Sequence, residues 1–153
     1  MQREELTDFL KKHFPDATFP ENTQLPEMIV PAGDIAAVAT ELKTSKDLAF
    51  DYLISLTAVD YKDKFTVVYH MESTLHRHLL VVKTDITDHE QPAVDTVSTL
   101  WPTAIFHERE VYDLFGIKFN GHGDLRRLFM DDDYGFPLRK DFSDETRVLT
   151  LSK

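Results

Sequence analysis

The sequence predicts a single α+β domain, a two-layer structure in which helices cover a mixed, mainly antiparallel sheet, followed by an extended C-terminal arm. Three observations support this prediction. The chain has 153 residues, close to the usual size of one domain. Apolar residues recur at helical spacing in some segments and alternate as in strands in others. After residue 119 this periodicity stops while glycine recurs, so we expect residues 1–119 to form the domain and residues 120–153 the arm.

The first third of the domain should contain two helices around a short strand. The apolar residues at helical spacing near the N-terminus are Leu6, Phe9 and Leu10. This pattern predicts a first helix that stops before Pro15. Residues 28–30 indicate a short strand, and Gly33 and Asp34 then offer a cap for a second helix that should extend to about Leu42.

The centre of the sequence has the character of strands. Runs rich in β-branched and aromatic residues cover 52–59, 65–71 and 79–83. The breaks between them, residues 61–64 and 72–76, are short enough to join antiparallel neighbours. We therefore expect a three-stranded antiparallel meander, with the two earlier helices on one of its faces.

Two further helices and a strand fragment are predicted before the arm. A cap at residues 87–88 would start a third helix that ends at Pro102. The apolar positions of this third helix would be Val94, Val97, Leu100 and Trp101. A fourth helix over residues 103–115 should end at Gly116, because glycine is the residue that most readily takes the left-handed conformation after a helix. Residues 117–119 indicate a short strand.

Composition excludes several classes of protein. The sequence has no cysteine, which excludes disulfides, thiolate metal sites and cysteine-ligated iron–sulfur clusters. A formal charge of −10 argues against nucleic acid as the main partner. Residues 1–10 contain three acidic side chains, unlike a signal peptide, and no stretch has about 18 consecutive apolar residues. We therefore expect a location on the cytoplasmic side.

The cations are concentrated near the C-terminus. Residues 1–106 contain 9 Lys and Arg against 17 Asp and Glu, whereas residues 107–142 contain 6 against 8. Several cations in the second segment form the pairs Arg126-Arg127 and Arg139-Lys140. This arrangement favours docking onto an acidic protein surface.

Two segments near the C-terminus resemble a known family. Residues 107–128 have the sequence HEREVYDLFGIKFNGHGDLRRL, and residues 136–142 have the sequence FPLRKDF. Both closely resemble the signature of the NuoC-type family, the 30 kDa subunits of respiratory complex I. Two positions depart from the family pattern: Gly123 stands where proline is usual, and Phe106 where tryptophan is common. We expect a looser turn at Gly123.

The resemblance implies a structural role in a larger assembly. Members of this family are non-catalytic subunits in the hydrophilic arm of a proton-translocating NADH:quinone oxidoreductase, at the cytoplasmic side of the bacterial inner membrane. The family resemblance implies that this chain binds no cofactor or metal, and that iron–sulfur clusters, FMN and quinone belong to partner subunits. The D and B subunits are the expected neighbours, and no transmembrane segment is expected in this chain.

The resemblance also directs attention to a partner interface. The expected interface residues are Glu108, Arg109, Glu110, Asp113, His122, Asp124, Arg126, Arg127, Phe136, Leu138, Arg139 and Lys140. No catalytic, cofactor-binding or metal-binding residue is expected. The apolar, aperiodic arm from residue 121 to residue 142 should need a covering surface, either a neighbouring protein or, as an open alternative, its own sheet.

Other interpretations of the residues remain open. Arg109 and Asp113 could form an ordinary ion pair four residues apart on an exposed helix face. His107, Glu110, His122 and their acidic neighbours have the residue types of a metal or acid–base site, but with poor spacing. Histidines 76 and 78 and the acidic run 131–133 are most simply a solvated strand end and a solvated turn.

Two other functions also stay open. The chain could serve the equivalent role in an energy-converting hydrogenase or a related quinone-linked dehydrogenase. An independent hydrolase using His107, Glu110 and Asp113 is a more distant alternative, because the sequence has no nucleophile elbow, phosphate loop or dinucleotide fingerprint.

Overall fold

Three α-helices and six strands occur in the residues that the computed structural model describes, 2–21 and 23–143. In chain order they are α1 (Arg3–His13), β1 (Glu27–Pro31), α2 (Ile35–Thr44), β2 (Tyr52–Asp60), β3 (Phe65–Ser73), β4 (His78–Ile86), β5 (Ala93–Asp95), α3 (Ala104–Phe115) and β6 (Lys118–Asn120). The last ten residues of the predicted arm, 144–153, lie outside this range.

The main sheet has four strands in the order β1-β4-β3-β2. The pairs β2–β3 and β3–β4 are antiparallel, which confirms the predicted meander. Strand β1 pairs with β4 in parallel, so the sheet is mixed, as expected. A second, two-stranded parallel sheet joins β5 to β6 and brings the segment before α3 next to the segment after it.

The helices supply apolar side chains to one core. Leu6 and Leu10 of α1, Leu42 of α2 and Phe115 of α3 are buried in the same cluster as Phe65 of the sheet. Burial of large side chains of this kind stabilises the fold by roughly 1.5–3 kcal/mol each. The predicted α1, α2 and fourth helix are therefore confirmed, and each contributes an apolar stripe.

The predicted third helix, over about residues 88–101, is wrong. This segment instead forms a turn, the short strand β5 and a second turn. Asp88 accepts the amides of residues 90 and 91, which closes a turn rather than capping a helix. Further on, the buried carboxylate of Glu108 accepts the Val97 amide at 2.8 Å, and Trp101 donates its indole N–H to Phe50 O. The Val97 amide is therefore bound by a side chain instead of a helical carbonyl, and the indole bond fixes Trp101 to the segment before β2.

Gly116 ends α3 in the left-handed conformation, as predicted, with φ of 76°. The absence of a side chain there has a second consequence. A Cβ atom at Gly116 would lie 2.7 Å from the ring of Phe136 and 2.8 Å from the guanidinium of Arg139. The end of α3 is therefore in close contact with the C-terminal arm.

Candidate functional site

Helix α3 contains the first nine residues of the segment 107–128, which we call the family-like segment, and it buries most of its charged residues. Glu108 and Asp113 have no exposed surface, and Arg109 is 6% exposed. The expectation that α3 presents these three side chains to a partner is therefore wrong. Glu110 is the acidic residue of α3 that stays exposed. Helical spacing alone did not reveal the difference, because the C-terminal arm covers the face on which Arg109 and Asp113 lie.

Asp113 binds the arm through Arg127. The Nε of Arg127 donates to Asp113 Oδ1 at 2.5 Å, and the Phe129 amide donates to Asp113 Oδ2 at 2.8 Å. Burial alone would raise the pKa of Asp113, but the hydrogen bonds from Arg127 and from two arm amides outweigh it and hold the pKa below its usual value. The other Arg127 nitrogens donate to the carbonyls of Asp113, Tyr134 and Gly135.

Arg109 also holds the arm rather than pairing with Asp113. It donates to the carbonyl oxygens of Arg126 and Arg127, at 3.4 and 3.2 Å. The expected ion pair between Arg109 and Asp113, four residues apart, is therefore replaced by two contacts to the arm. Both side chains turn toward the same short stretch of backbone.

Glu108 occupies a different environment, on the side of α3 that faces β5. Its two carboxylate oxygens accept the Thr96 hydroxyl at 2.7 and 2.6 Å, and one also accepts the Val97 amide. Burial raises the pKa of Glu108, and these hydrogen bonds offset only part of that effect.

The hydroxyl of Tyr69 is buried and has no hydrogen-bond partner among the described residues. Desolvation, together with the charges of Glu108 and Asp95, raises the pKa of Tyr69.

Arg139 and Lys140 both fix the end of the described arm to the domain. Arg139 donates to Phe115 O, and its guanidinium lies over the rings of Phe65 and Phe136, at 5.2 and 5.0 Å from their centres. The Lys140 amide donates to Asp60 Oδ2 at 2.9 Å. The arm thus lies against its own domain up to this point, which favours the open alternative in which the chain itself covers the arm.

Asp60 connects three parts of the chain. Besides the Lys140 amide it accepts the Lys62 amide at 2.8 Å, and it lies 3.2 Å from His89 Nε2. Its side chain is 1% exposed. Burial alone would raise the pKa of Asp60, but these hydrogen bonds together lower it.

The remaining predicted interface residues are divided between surface and interior. Asp124 and Arg126 form an exposed ion pair at 3.0 Å, with 58% and 66% of their side chains accessible. His122 contacts Ile105 O at 3.0 Å, and Leu138 is 51% exposed. Phe136 is only half-buried, but its ring lies under the guanidinium of Arg127, at 4.9 Å. The use of these residues at an interface stays a prediction.

Sequence reasoning missed several residues of this region. Thr96 and Asp60, which bind Glu108 and the arm, lie far from the family-like segment and gave no local signal. Phe106 and Phe129 are 61% and 70% exposed. Their sequence neighbours include the apolar residues Ile105, Leu128 and Met130, so no signal in the sequence indicated that these two rings would be exposed.

The groups considered for metal or acid–base chemistry are dispersed. His107 Nδ1 accepts the Leu56 amide at 3.3 Å, whereas Asp113 faces the arm and Glu110 faces solvent. Among residues 2–21 and 23–143, no three His, Asp or Glu side chains are grouped as metal ligands would be.

His78 is buried, with Nε2 on Leu48 O at 3.0 Å, so the prediction of a solvated strand end is wrong for this residue. Residues 131–133 are exposed, as predicted.

Within the part of the chain that the structure describes, no helix combines the length and the apolar character needed to cross a membrane.

The model of a known family matches most of the chain. Residues 28–148 match the family described as "Respiratory-chain NADH dehydrogenase, 30 Kd subunit". The match includes nearly the whole four-stranded sheet, together with α3 and the arm with its contacts to Asp113.

Curated relatives agree with this match. A protein of Moorella thermoacetica, named as the C-type subunit of an NADH-quinone oxidoreductase, is 41% identical over 140 residues, which cover 90% of this chain and 93% of the relative. A protein of Phocaeicola vulgatus, named as the combined C/D-type subunit of an NADH-quinone oxidoreductase, is 42% identical over 125 residues. That alignment covers 80% of this chain but only 24% of the longer relative.

A solved structure has the same fold. It was determined as part of "the membrane-bound sulfane sulfur reductase (MBS), an archaeal respiratory membrane complex". The superposition has a TM-score of 0.81 at 28% identity and covers 97% of this chain and 89% of the other.

Proposed function

The chain belongs to the family of the 30 kDa subunit of respiratory-chain NADH dehydrogenase, and we propose that its own contribution to the complex is structural rather than catalytic. The observation that carries this proposal is the use of the charged residues in the family-like segment. Asp113 on α3 binds the side chain of Arg127 in the arm, and Arg109 on α3 binds the arm backbone, so these three side chains do not line an open cavity. Side chains whose hydrogen-bonding groups are already used within the fold stabilise that fold and are not available to bind a substrate.

The chain is a subunit of an NADH:quinone oxidoreductase complex, so its partners are other subunits of that complex. We infer that the D-type subunit is one direct neighbour. The Phocaeicola vulgatus relative supports this, because its name combines C and D and three quarters of its length lie outside the alignment. A B-type subunit is the second neighbour that the family resemblance suggests.

The proposal places the redox centres in the partners. The sequence has no cysteine, so this chain offers no thiolate to an iron–sulfur cluster. Electrons would pass through clusters, FMN and quinone held by other subunits, and this chain would hold those subunits in position relative to one another. As a peripheral subunit it would lie on the cytoplasmic side of the bacterial inner membrane.

A second candidate is the equivalent subunit of a complex with a different electron donor or acceptor. The observation that favours it is the structural similarity to a subunit of the sulfane sulfur reductase complex, which extends over nearly the whole chain. The fold is therefore compatible with either kind of complex. Genes for NADH-oxidising subunits beside the gene for this chain would favour the first candidate, and their absence would favour the second.

The experiment that tests the structural role compares the isolated chain with the complex. The purified chain should contain no stoichiometric iron, zinc or flavin and should not oxidise NADH. Deletion of its gene should abolish quinone-linked NADH oxidation by membranes, and the wild-type gene should restore it. A Glu4→Gln variant, which changes an exposed acid outside the residues matched by the family, should restore it equally well. Stoichiometric metal or an intrinsic activity in the purified chain would overturn the proposal.

A further inference from the structure

Two histidines at the turn between β3 and β4 bind the segment that joins α2 to β2, residues 45–51, which we call the connector. His76 Nε2 lies 2.8 Å from Lys46 O, and His78 Nε2 lies 3.0 Å from Leu48 O. Because a carbonyl oxygen can only accept a hydrogen bond, the proton of each ring must be on Nε2. The two histidines thus attach the turn to the connector, and we call this pair the histidine latch.

His78 is buried in a form that has no acceptor for a second proton. It is 6% exposed, and its Nδ1 has no hydrogen-bond partner among the described residues. The centre of its ring lies 4.8 Å from that of Phe50 and 5.6 Å from that of His76. A proton on Nδ1 would therefore leave a buried, unpaired positive charge beside an apolar ring and a second histidine, which is strongly unfavourable. The closed latch requires a neutral His78.

The surrounding charges favour the neutral form as well. Burial lowers the pKa of His78 below its ordinary value of 6.5; the hydrogen bond to Leu48 O opposes this effect, and the positive charges of the amino terminus and His76 reinforce it. The charged side chains of the connector, the turn and the adjoining end of β3 are Lys46, Asp47, Asp51, Arg77 and Glu72. None of these forms a hydrogen bond or an ion pair with His78 in the part of the chain that the structure describes.

A third contact between the turn and the connector does not titrate with the histidines. Asp51 accepts the hydroxyl and the amide of Thr74, at 2.5 and 2.8 Å. These hydrogen bonds hold the pKa of Asp51 below its ordinary value of 3.8, so Asp51 stays ionised throughout the range in which histidine takes up a proton. A change of this contact near pH 6 would therefore have to come from the latch.

We propose that the histidine latch is an acid-sensitive device, which releases the turn between β3 and β4 from the connector when His78 takes up a proton. This inference does not depend on the proposed function, because it concerns contacts within the chain. Release would uncover Leu48 and Phe50, which have no exposed surface when the latch is closed. Phe50 O also accepts the indole N–H of Trp101 at 3.1 Å, so the opening would extend to the segment before α3.

The direction of the pH effect follows from the two states of the latch. In the open state His78 is solvated and has its ordinary pKa of 6.5, whereas in the closed state its pKa is lower. The closed state is therefore fully favoured above pH 6.5 and loses stability as pH falls from 6.5 through the lowered pKa. Because one proton is taken up, the opening constant should rise by up to about tenfold per pH unit in this window.

The test measures hydrogen exchange by NMR in the full chain, at the Thr74 amide and at the indole N–H of Trp101, the single tryptophan of the sequence. After correction for intrinsic exchange, both groups should exchange faster at pH 5.5 than at pH 7.5 in the wild type. His78→Gln keeps an N–H for Leu48 O but cannot take up a proton, so its corrected rates should be equal at the two pH values.

Two variants serve as matched controls. Leu75→Ala changes a side chain that is 72% exposed on the same turn. His13→Gln removes another histidine that contacts a carbonyl, Phe9 O at 3.0 Å, but that is exposed on α1. Both variants should keep the pH dependence of the wild type. The Gly116 amide, which donates to Tyr112 O at 2.8 Å, should not exchange faster at pH 5.5 in any of these proteins, because the opening is local.

Each other outcome would overturn the latch. Corrected rates that do not change with pH in the wild type, or that rise equally in His78→Gln, would show that His78 does not control the turn. Equal acceleration at Gly116 would mean that the whole domain opens. If His78→Gln does not fold, the wild type still decides the matter by NMR titration of the His78 ring. The ring must titrate below pH 6.5, over the same range in which Thr74 exchange accelerates, and a higher midpoint would contradict the proposal.

Discussion

Arg127 donates to Asp113 across 2.5 Å, in an ion pair whose side chains are 7% and 0% exposed. Its neighbour Arg126 forms the exposed pair with Asp124. Two consecutive arginines of the family-like segment thus have opposite roles, since one binds the arm to α3 and the other lies at the surface. The chain provides a matched comparison at adjacent positions.

Arg127→Met should destabilise the protein far more than Arg126→Met. Loss of Arg127 leaves the buried Asp113 without its cation, which typically costs about 3–5 kcal/mol, whereas an exposed pair contributes about 0–1 kcal/mol. Urea unfolding measures the difference. Limited proteolysis should also cut the Arg127→Met variant within the arm before it cuts the rest of the chain. Equal stability of the two variants would show that the pair does not hold the arm.

Replacement of both arginines by Glu is a poor test of assembly alone. Because Arg127 is internal, that double variant should lose the arm structure as well as any docking contact. Arg126→Glu by itself leaves the interior unchanged and is the variant to use for assembly.

Glu108→Gln should change how stability depends on pH. Burial raises the pKa of Glu108 above its ordinary value of 4.5, so between that value and the folded pKa the native state keeps a proton that the unfolded state has lost. The wild-type free energy of unfolding should therefore fall, relative to that of Glu108→Gln, as pH rises through this window, and the difference should then stay constant. Urea unfolding from pH 4 upward measures it.

The control for this experiment is Glu110→Gln on the exposed face of the same helix, which should follow the wild type at every pH. A Glu108→Gln curve that stays parallel to the wild type, or diverges in the opposite direction, would contradict a raised pKa in the folded protein.

Asp60→Asn should release the end of the arm from the sheet. The Lys140 amide donates to Asp60 Oδ2, and because the neutral oxygen of Asn is a weaker acceptor than a carboxylate, this hydrogen bond should weaken by about 1 kcal/mol. Hydrogen exchange at the Lys140 amide should become faster, while Asp63→Asn in the neighbouring turn should leave it unchanged. In the wild type the same contact should be present above pH 3.8 and be lost as pH falls through the lowered pKa of Asp60. Unchanged protection in Asp60→Asn would contradict this connection.

Gly116→Ala should destabilise the protein, and Gly123→Ala should not. Gly116 has a left-handed backbone, which costs about 1–2 kcal/mol for other residues, and its Cβ would also collide with Phe136. A Cβ at Gly123 meets nothing within 4 Å. Thermal unfolding should therefore shift strongly for the first variant and by little for the second. A tolerated Gly116→Ala would mean that the arm does not approach the end of α3 so closely.

Much of the fold could be predicted because its signals are local. The stripe of Leu6 and Leu10, the β-branched runs of the meander and Gly116 after α3 each indicate their structure without knowledge of distant residues. The segment over 88–101 could not be predicted in this way. Val97 and Trp101 have helical spacing, but the side chain of Glu108 accepts the Val97 amide and Phe50 O accepts the Trp101 indole, and neither partner is visible in the local sequence.

The same limit applies to the site. Sequence and family resemblance directed attention to α3 and the arm, but did not indicate which of their charges are internal. Whether Arg127 or Arg126 faces the interior depends on where the arm crosses α3, and that position is fixed by contacts between residues 14 to 24 apart. The docking charges expected at Glu108, Arg109 and Asp113 were assigned wrongly for this reason.

The most direct test of the structural role is affinity purification of the tagged full chain from its native host, with quantification of the proteins that accompany it. The subunits of a respiratory NADH:quinone oxidoreductase, or of a related complex, should appear in equal amounts with the wild type and with Leu75→Ala. They should be much reduced with Arg127→Met. A chain that purifies alone, or that retains its companions without Arg127, would contradict the role proposed for the arm.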